Sequence, residues 1–218
     1  MDPKIKSHFK KTDPTLYKLL CQLEESEIKL SPRSSKYYFQ ALCADIISQQ
    51  LSGKVADVFF ARFLKLFPDN LVIPDSVLNL PDLTLRNIGI SYSKVSFLKS
   101  LADYFVHKKI DFKKLINLSE EEVIGELTKI KGIGRWTAEM FCMFTLGRQD
   151  VFSAGDQGLK NAIKKYYPGH ILVSRGYSKT LTHQQRGRGH RVLDPDIWSP
   201  YKTYACLILW RSLDLPPT

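Results

Sequence analysis

The stretch LTKIKGIGRWTAEMF, Leu127 to Phe141, holds the plainest chemistry in this chain. Gly132 and Gly134 interrupt a pattern that reads as helix on both sides. A glycine pair in such a place favours a tight turn over a continuous helix. A helix that restarts after the turn offers backbone N–H groups at its N-terminus, which bind phosphate oxygens without any base contact. Lys129, Lys131 and Arg135 add positive charge around it. The expectation is a grip on a phosphate backbone; the competing reading is an ordinary corner between two helices.

Other chemistry is thinner. Asp156 stands where it would cap a helix starting at Gln157. Cys21, Cys43, Cys142 and Cys206 lie far apart in apolar contexts, a spacing that fits neither a zinc site nor an iron–sulfur cluster. They read as buried free thiols. No phosphate loop, HExxH or nucleophile elbow occurs. Lys plus Arg is 32 against 22 Asp plus Glu, and the resulting +10 makes nucleic acid the first candidate partner. No apolar run approaches the ~20 residues of a membrane span. MDPKIKSHFKK has no apolar stretch after its lysines, so a secretory signal is not expected. The reading is an intracellular protein without a membrane partner, in cytoplasm and nucleoid if bacterial and in the nucleus if eukaryotic.

The elements that must position these residues read as helices. Asp13-Pro14 opens the first, with Leu16, Leu19, Leu20 and Leu23 on one side. YYFQALCADIISQQ gives a second, broken at Ser52-Gly53, and VADVFFARFLKLF a third, stopped by Pro68. Short helices follow near Asp75 and Asp82, the latter ended by Gly89. Ser91 caps a long helix through SKVSFLKSLADYFVHKK, and Ser119 with three glutamates starts the next. Arg135 to Leu146, DQGLKNAIKKYY and PYKTYACLILWRSL complete the set. No segment alternates with period two, so the expected fold is all-α, with about ten helices. Residues 167–196 are rich in Gly, Arg and His with little periodicity, and read as a loop or partly ordered arm whose RGRGHR could track DNA phosphates.

The pattern L-x-x-I-x-G-I-G-x-W-T-A, from Leu127, resembles the helix-hairpin-helix motif of DNA-binding proteins. Asp156 follows Trp136 by twenty residues and is itself followed by x-G-L. That order resembles the helix-hairpin-helix base-excision DNA glycosylases. ISQQLSGKVADVFFARF, from Ile47, and WSPYKTYACLILWRS, from Trp198, are similar to segments of the 3-methyladenine DNA glycosylase II group. The resemblance implies a two-lobed helical glycosylase fold with a cleft between the lobes, roughly 32–117 in one lobe and 1–31 with 118–218 in the other. It also implies a monomer that acts on double-stranded DNA containing damaged bases, hydrolysing the N-glycosidic bond of alkylated bases of the 3-methyladenine type after base flipping. No cofactor and no iron–sulfur cluster are implied. The alternative is a non-catalytic relative that binds damaged DNA; a bifunctional glycosylase-lyase is a third reading.

By this resemblance Asp156 is the catalytic carboxylate. It would stabilise the oxocarbenium-like sugar and orient or deprotonate the attacking water. Trp136 stands where glycosylase-lyases carry a nucleophilic lysine, which implies a water-using, monofunctional enzyme. Trp136, Trp198, Tyr201, Met140 and Phe39 (or Tyr38) are the candidates for the base pocket, where electron-rich rings favour a cationic purine; core packing is the alternative for each ring. Met140 replaces a tyrosine found in related enzymes. Trp210 reads as core. Gln49, Gln50 and Leu51 would fill the gap left by the flipped base, Leu51 as wedge and Gln50 reading the opposite strand, and Ser52 replaces a histidine of some relatives. Lys54, Lys131, Gly132, Ile133, Gly134, Arg135 and Thr137 are the remaining DNA-binding candidates. A monovalent cation is implied at the carbonyls of Ile130 and Ile133.

Overall fold

The computed structural model describes residues 1–51, 53–108, 112–173 and 191–216. The described chain is mostly helical and divides into two compact units: Met1–Leu30 with Arg148–Thr218, and Ser31–Gly147. Ser52 and most of the RGRGHR stretch lie outside the described residues.

The unit of the chain ends begins with a helix that the sequence reading missed. Asp2 accepts from Lys4 N and starts α1 (Pro3–Thr12), and Asp13 repeats the same Asp-Pro device for α2 (Pro14–Leu20). The first signal was hidden because Ile5 and Phe9 are the only buried residues of α1. The Asp13 carboxylate is itself buried and fully used. Oδ1 accepts from Thr15 N and Leu16 N, while Oδ2 accepts from Tyr167 OH at 2.6 Å and Trp198 Nε1 at 2.8 Å. Burial, with that carboxylate alongside, pushes the Tyr167 phenol far up. Around this knot pack α11 (Gln157–Tyr166) and α12 (Lys202–Ser212). α12 buries residues on every side, from Thr203 to Ser212, as a helix in the middle of a core must.

Residues 167–196 depart from a plain loop. Three-residue strands β1 (His170–Leu172) and β2 (Arg191–Leu193) pair in parallel, His170 opposite Arg191. A 3-10 turn, Pro195–Trp198, follows. Strands this short carry too few residues for alternation to show.

The central unit is built on α3 (Tyr38–Ser48), which buries seven of its eleven residues. Against it pack α4 (Gly53–Leu64) and α7 (Tyr92–Lys108), with α5 (Pro74–Asn79) and α6 (Asp82–Asn87) on α7. Then come α8 (Phe112–Asn117), α9 (Glu120–Leu127) and α10 (Arg135–Met140), which runs on into a π-helical turn, Phe141–Thr145. That turn packs on α3, with Tyr38 edge-on to Phe141. Residues 118–147 accordingly belong to this unit and not with the chain ends, a long-range consequence that local patterning near residue 117 does not carry. No described helix is long and apolar enough to cross a membrane.

One buried group in this unit is uncompensated. Oδ2 of Asp45, on α3, is shielded from solvent and has no hydrogen-bond partner among the described residues. Burial pushes the carboxyl up to about 7, and Arg33 only partly offsets it. The folded chain therefore holds this proton more tightly than the unfolded chain, whose Asp titrates near ~4. Stability from this group falls as pH rises from about 4 to about 7 and is flat above. Asp45→Asn should stabilise the protein at pH 8 by about 1–3 kcal/mol, with a much smaller gain at pH 5. Urea titrations at the two pH values check this; an equal gain at both would refute it.

Candidate functional site

Ser119 caps α9 through a reciprocal box with Glu122, and the chain leaves α9 at Leu127 for the expected turn. Ile130 and Ile133 are buried and anchor it, with Ile133 N donating to Ile130 O at 3.0 Å. The two glycines have different reasons to be there. Gly132 has φ +93°, and a Cβ on it would lie 2.2 Å from Phe97 Cγ, so no other residue fits. Gly134 has an extended backbone, φ −88°, that any residue adopts, and a Cβ on it would meet nothing within 4 Å. Gly134 therefore does not bend the chain; it leaves the approach to the start of α10 clear of side chains, and no side chain caps that helix.

The basic flank is less positive than the sequence suggests. The Arg135 guanidinium is bidentate on Glu121, at 3.1 and 2.6 Å, and its Nε donates to the fully buried Glu139 at 2.9 Å. It ties the first turn of α9 to α10 and is committed there rather than offered to DNA. That hydrogen bonding holds the Glu121 carboxyl below its ordinary range. Lys129 pairs with Glu126 at 2.6 Å. Lys131 has no carboxylate partner among the described residues; its Nζ reaches Ser96 Oγ at 3.5 Å. Thr137 is buried, with its Oγ1 accepting from Gln49 Nε2 at 3.3 Å, so its hydroxyl is not a surface contact. The same Gln49 amide donates to the Gly132 carbonyl at 2.9 Å. Gln50 is exposed with φ +58°, Leu51 is half-buried and Lys54 is exposed in the first turn of α4.

Asp156 caps α11: Oδ1 accepts from Leu159 N at 2.8 Å, as its position in the sequence implies. The same oxygen accepts from Trp210 Nε1, also at 2.8 Å. Gly158 makes this contact sterically available. A Cβ there would sit 2.9 Å from Trp210 Cδ1 and 3.1 Å from Asp156 Oδ1. Asp156 and Trp210 are both half-buried. Sequence reasoning placed Trp210 in the core. The clue it passed over was Gly158, a glycine in the first turn of a helix, which signals close approach by a neighbour.

The aromatic candidates separate by exposure. Trp198 is fully buried and spent on Asp13, and Phe39 is 2% exposed against Phe105; neither presents a face to a base. Tyr38 is likewise buried. Trp136 is 42% exposed and Tyr201 is half-buried, with His8, Phe9 and Tyr204 around it. Met140 is 9% exposed, and Phe144, which the sequence reading did not single out, is 39% exposed. Trp136, Met140 and Phe144 recur every four residues along one helical run. Of the thiols, Cys43, Cys142 and Cys206 are buried and Cys21 is exposed, against the expectation for all four. Among the described residues no three His, Cys, Asp or Glu come together to hold a metal ion.

Residues 43–172 match the family model of the HhH-GPD superfamily base excision DNA repair protein. A DNA-3-methyladenine glycosylase of Saccharomyces cerevisiae is 31% identical, with 94% of this chain and 77% of that protein covered. The crystal structure of a DNA-3-methyladenine glycosidase from Bacillus halodurans is similar with a TM-score of 0.73 at 31% identity, covering 98% of this chain and 90% of that one. The 3-methyladenine DNA glycosylase of Schizosaccharomyces pombe, in complex with abasic DNA, gives a TM-score of 0.76 at 28% identity and covers 97% of each chain.

The Gly158 geometry makes a test of the Asp156–Trp210 contact. Gly158→Ala should destabilise the chain by about 1–3 kcal/mol through overpacking, and Trp210→Phe by about 1 kcal/mol through the lost indole donor. If the added methyl acts by displacing the indole, the double variant loses less than the two single losses combined. Strict additivity in urea denaturation would count against the contact.

Proposed function

Since the chain belongs to the HhH-GPD superfamily of base excision DNA repair proteins, we propose that it is a monofunctional DNA glycosylase that hydrolyses the N-glycosidic bond of alkylated bases of the 3-methyladenine type. The observation that carries the chemistry is Asp156, held at the start of α11 by Leu159 N and Trp210 Nε1 on one oxygen. A carboxylate with a fixed orientation stabilises charge that develops on the sugar and spends nothing on reorientation during the reaction.

The steps follow from the residues. The turn at Gly132 to Gly134 grips a phosphate through amides that precede α10, with Lys131 as the cation left to neutralise it. Gln50 and Leu51 occupy the space of the extruded base. The half-exposed ring of Trp136 stacks on that base, with Phe144 as a further ring of the same unit that has surface to offer. A cationic, alkylated purine gains from such stacking, and it leaves readily with the electrons of the broken C1′–N bond. Water then bonds to C1′ and loses a proton to the Asp156 carboxylate. Trp136 carries no amine, so no covalent imine forms there. The carbonyls of Ile130 and Ile133 would hold a monovalent cation. Ile130 O already accepts Ile133 N–H, and the second lone pair of that carbonyl is the one such an ion would take.

Asp156→Asn should abolish base release from methylated duplex DNA while affinity for the duplex persists, and borohydride should trap no protein–DNA adduct with the parent chain. Binding without release by the parent chain would turn the reading to a damage-binding protein, and a trapped adduct to a lyase. Of the hairpin lysines, Lys131→Ala should weaken binding to all duplexes and lower the salt slope by about 1. Lys129→Ala, which takes from Glu126 its lysine partner and leaves it the Tyr104 hydroxyl, should lower that slope by no more than Lys131→Ala does. A Lys129→Ala slope that falls further than that of Lys131→Ala would overturn the assignment.

A further inference from the structure

We propose that Gln49, braced by Lys94, couples the phosphate-gripping turn to the residues that displace the base. The inference rests on the proposed glycosylase reading. Its observations lie within the unit Ser31–Gly147.

α3 ends at Ser48 and leaves its last carbonyls without intrahelical donors. The Lys94 ammonium reaches in and donates to the carbonyls of Ile47 and Gln49, each at 2.7 Å. A cation at a helix C-terminus is favoured by the helix dipole, and this one is drawn into the fold far enough that burial lowers its pKa. With its backbone pinned, Gln49 aims its side-chain amide at the hairpin, donating to Gly132 O at 2.9 Å and Thr137 Oγ1 at 3.3 Å. The next residue, Gln50, is held at φ +58°. A non-glycine residue in that region costs about 1–2 kcal/mol and persists only where its surroundings fix it.

The brace and the turn share a support. Lys94 and Phe97 are one turn apart on α7. The first holds the end of α3, and the second fills the space where a Cβ of residue 132 would be. One helix thereby sets both the Gln50–Leu51 step and the hairpin, and the Gln49 amide is the direct bond between them. A phosphate bound at the turn would act on the base-displacing step through that bond. Gln49 is thus a positioning residue that touches no reacting atom.

A glutamate at position 49 separates this role from simple packing. As a carboxylate it sets acceptor against the Gly132 carbonyl; protonated, it donates as the amide does, and the carbonyl neighbour and partial burial favour that protonated form while the Lys94 ammonium on the Gln49 carbonyl opposes it. The measured quantity is the ratio of affinities for a duplex carrying a tetrahydrofuran abasic analogue and for the intact duplex, read by fluorescence anisotropy with the full chain. For Gln49→Glu we expect the ratio to fall about tenfold at pH 8, the scale of one buried hydrogen bond lost, and to recover at about pH 5.5 relative to the parent chain at the same pH. Gln49→Met, of similar shape without donors, should lose the preference at both. Retention of the parental ratio by Gln49→Glu at pH 8, or its loss at both pH values as misfolding would give, overturns the coupling. A parent chain with no preference for the abasic analogue would overturn the glycosylase reading and this inference with it. A parent chain that prefers the analogue beside a Gln49→Glu that prefers it equally at pH 8 would overturn this inference alone.

Discussion

Phe97 lies where a side chain on residue 132 would have to be. That steric fact fixes the hairpin. It forces glycine at the left-handed corner, sets where the Gly132 carbonyl points, and gives Gln49 a fixed acceptor for its amide. Everything that the turn is proposed to do with a phosphate depends on a backbone that does not rearrange when charge arrives. The buried isoleucines beneath it and the Arg135 tie between α9 and α10 serve the same end from the other side.

The two tryptophan–aspartate pairs show where sequence reading reaches its limit. Asp13 and Asp156 are both helix caps, and both were legible as such, because a cap is a local interaction among residues three apart. Each also accepts from an indole, Trp198 for the first and Trp210 for the second. Nothing local assigns a tryptophan to an aspartate 54 or 185 residues away. The assignment came out reversed: Trp198 was expected at the pocket and is sealed in the core, while Trp210 was expected in the core and touches the proposed catalytic carboxylate. Burial of a large ring is decided by what packs around it in three dimensions. The glycine two residues after Asp156 was the one local trace of the second pair.

Charge was misjudged for a related reason. The excess of +10 points toward a polyanionic partner, in keeping with membership of a DNA repair family. It says nothing about which cations are available. Around the hairpin, Glu121, Glu126 and Glu139 draw in Arg135 and Lys129, so that two of the three cations expected to surround the turn are paired with carboxylates. The helix pattern, by contrast, transferred well from sequence to structure, since the caps Asp13, Ser91, Ser119 and Asp156 and the stops Gly89 and Gly147 act within one turn. Where the pattern failed, at α1 and at the β1–β2 pair, the elements bury few residues, Ile5 and Phe9 in α1 and Leu193 in the strand pair, so little periodicity shows.

A cap that is also a catalyst would meet conflicting demands if it had to accept and release a proton freely. On the proposed reading the conflict is mild. The C1′–N bond to a cationic purine breaks with little help to the leaving group, so the larger task is to stabilise the positive sugar. An oxygen held by a backbone amide and an indole is oriented before the substrate arrives. Its two donors come from α11 and α12, whose packing is the core of the unit of the chain ends. Orientation of the carboxylate is thereby tied to the stability of that core, and the cost of holding a charged group still is carried by contacts the unit makes in any case.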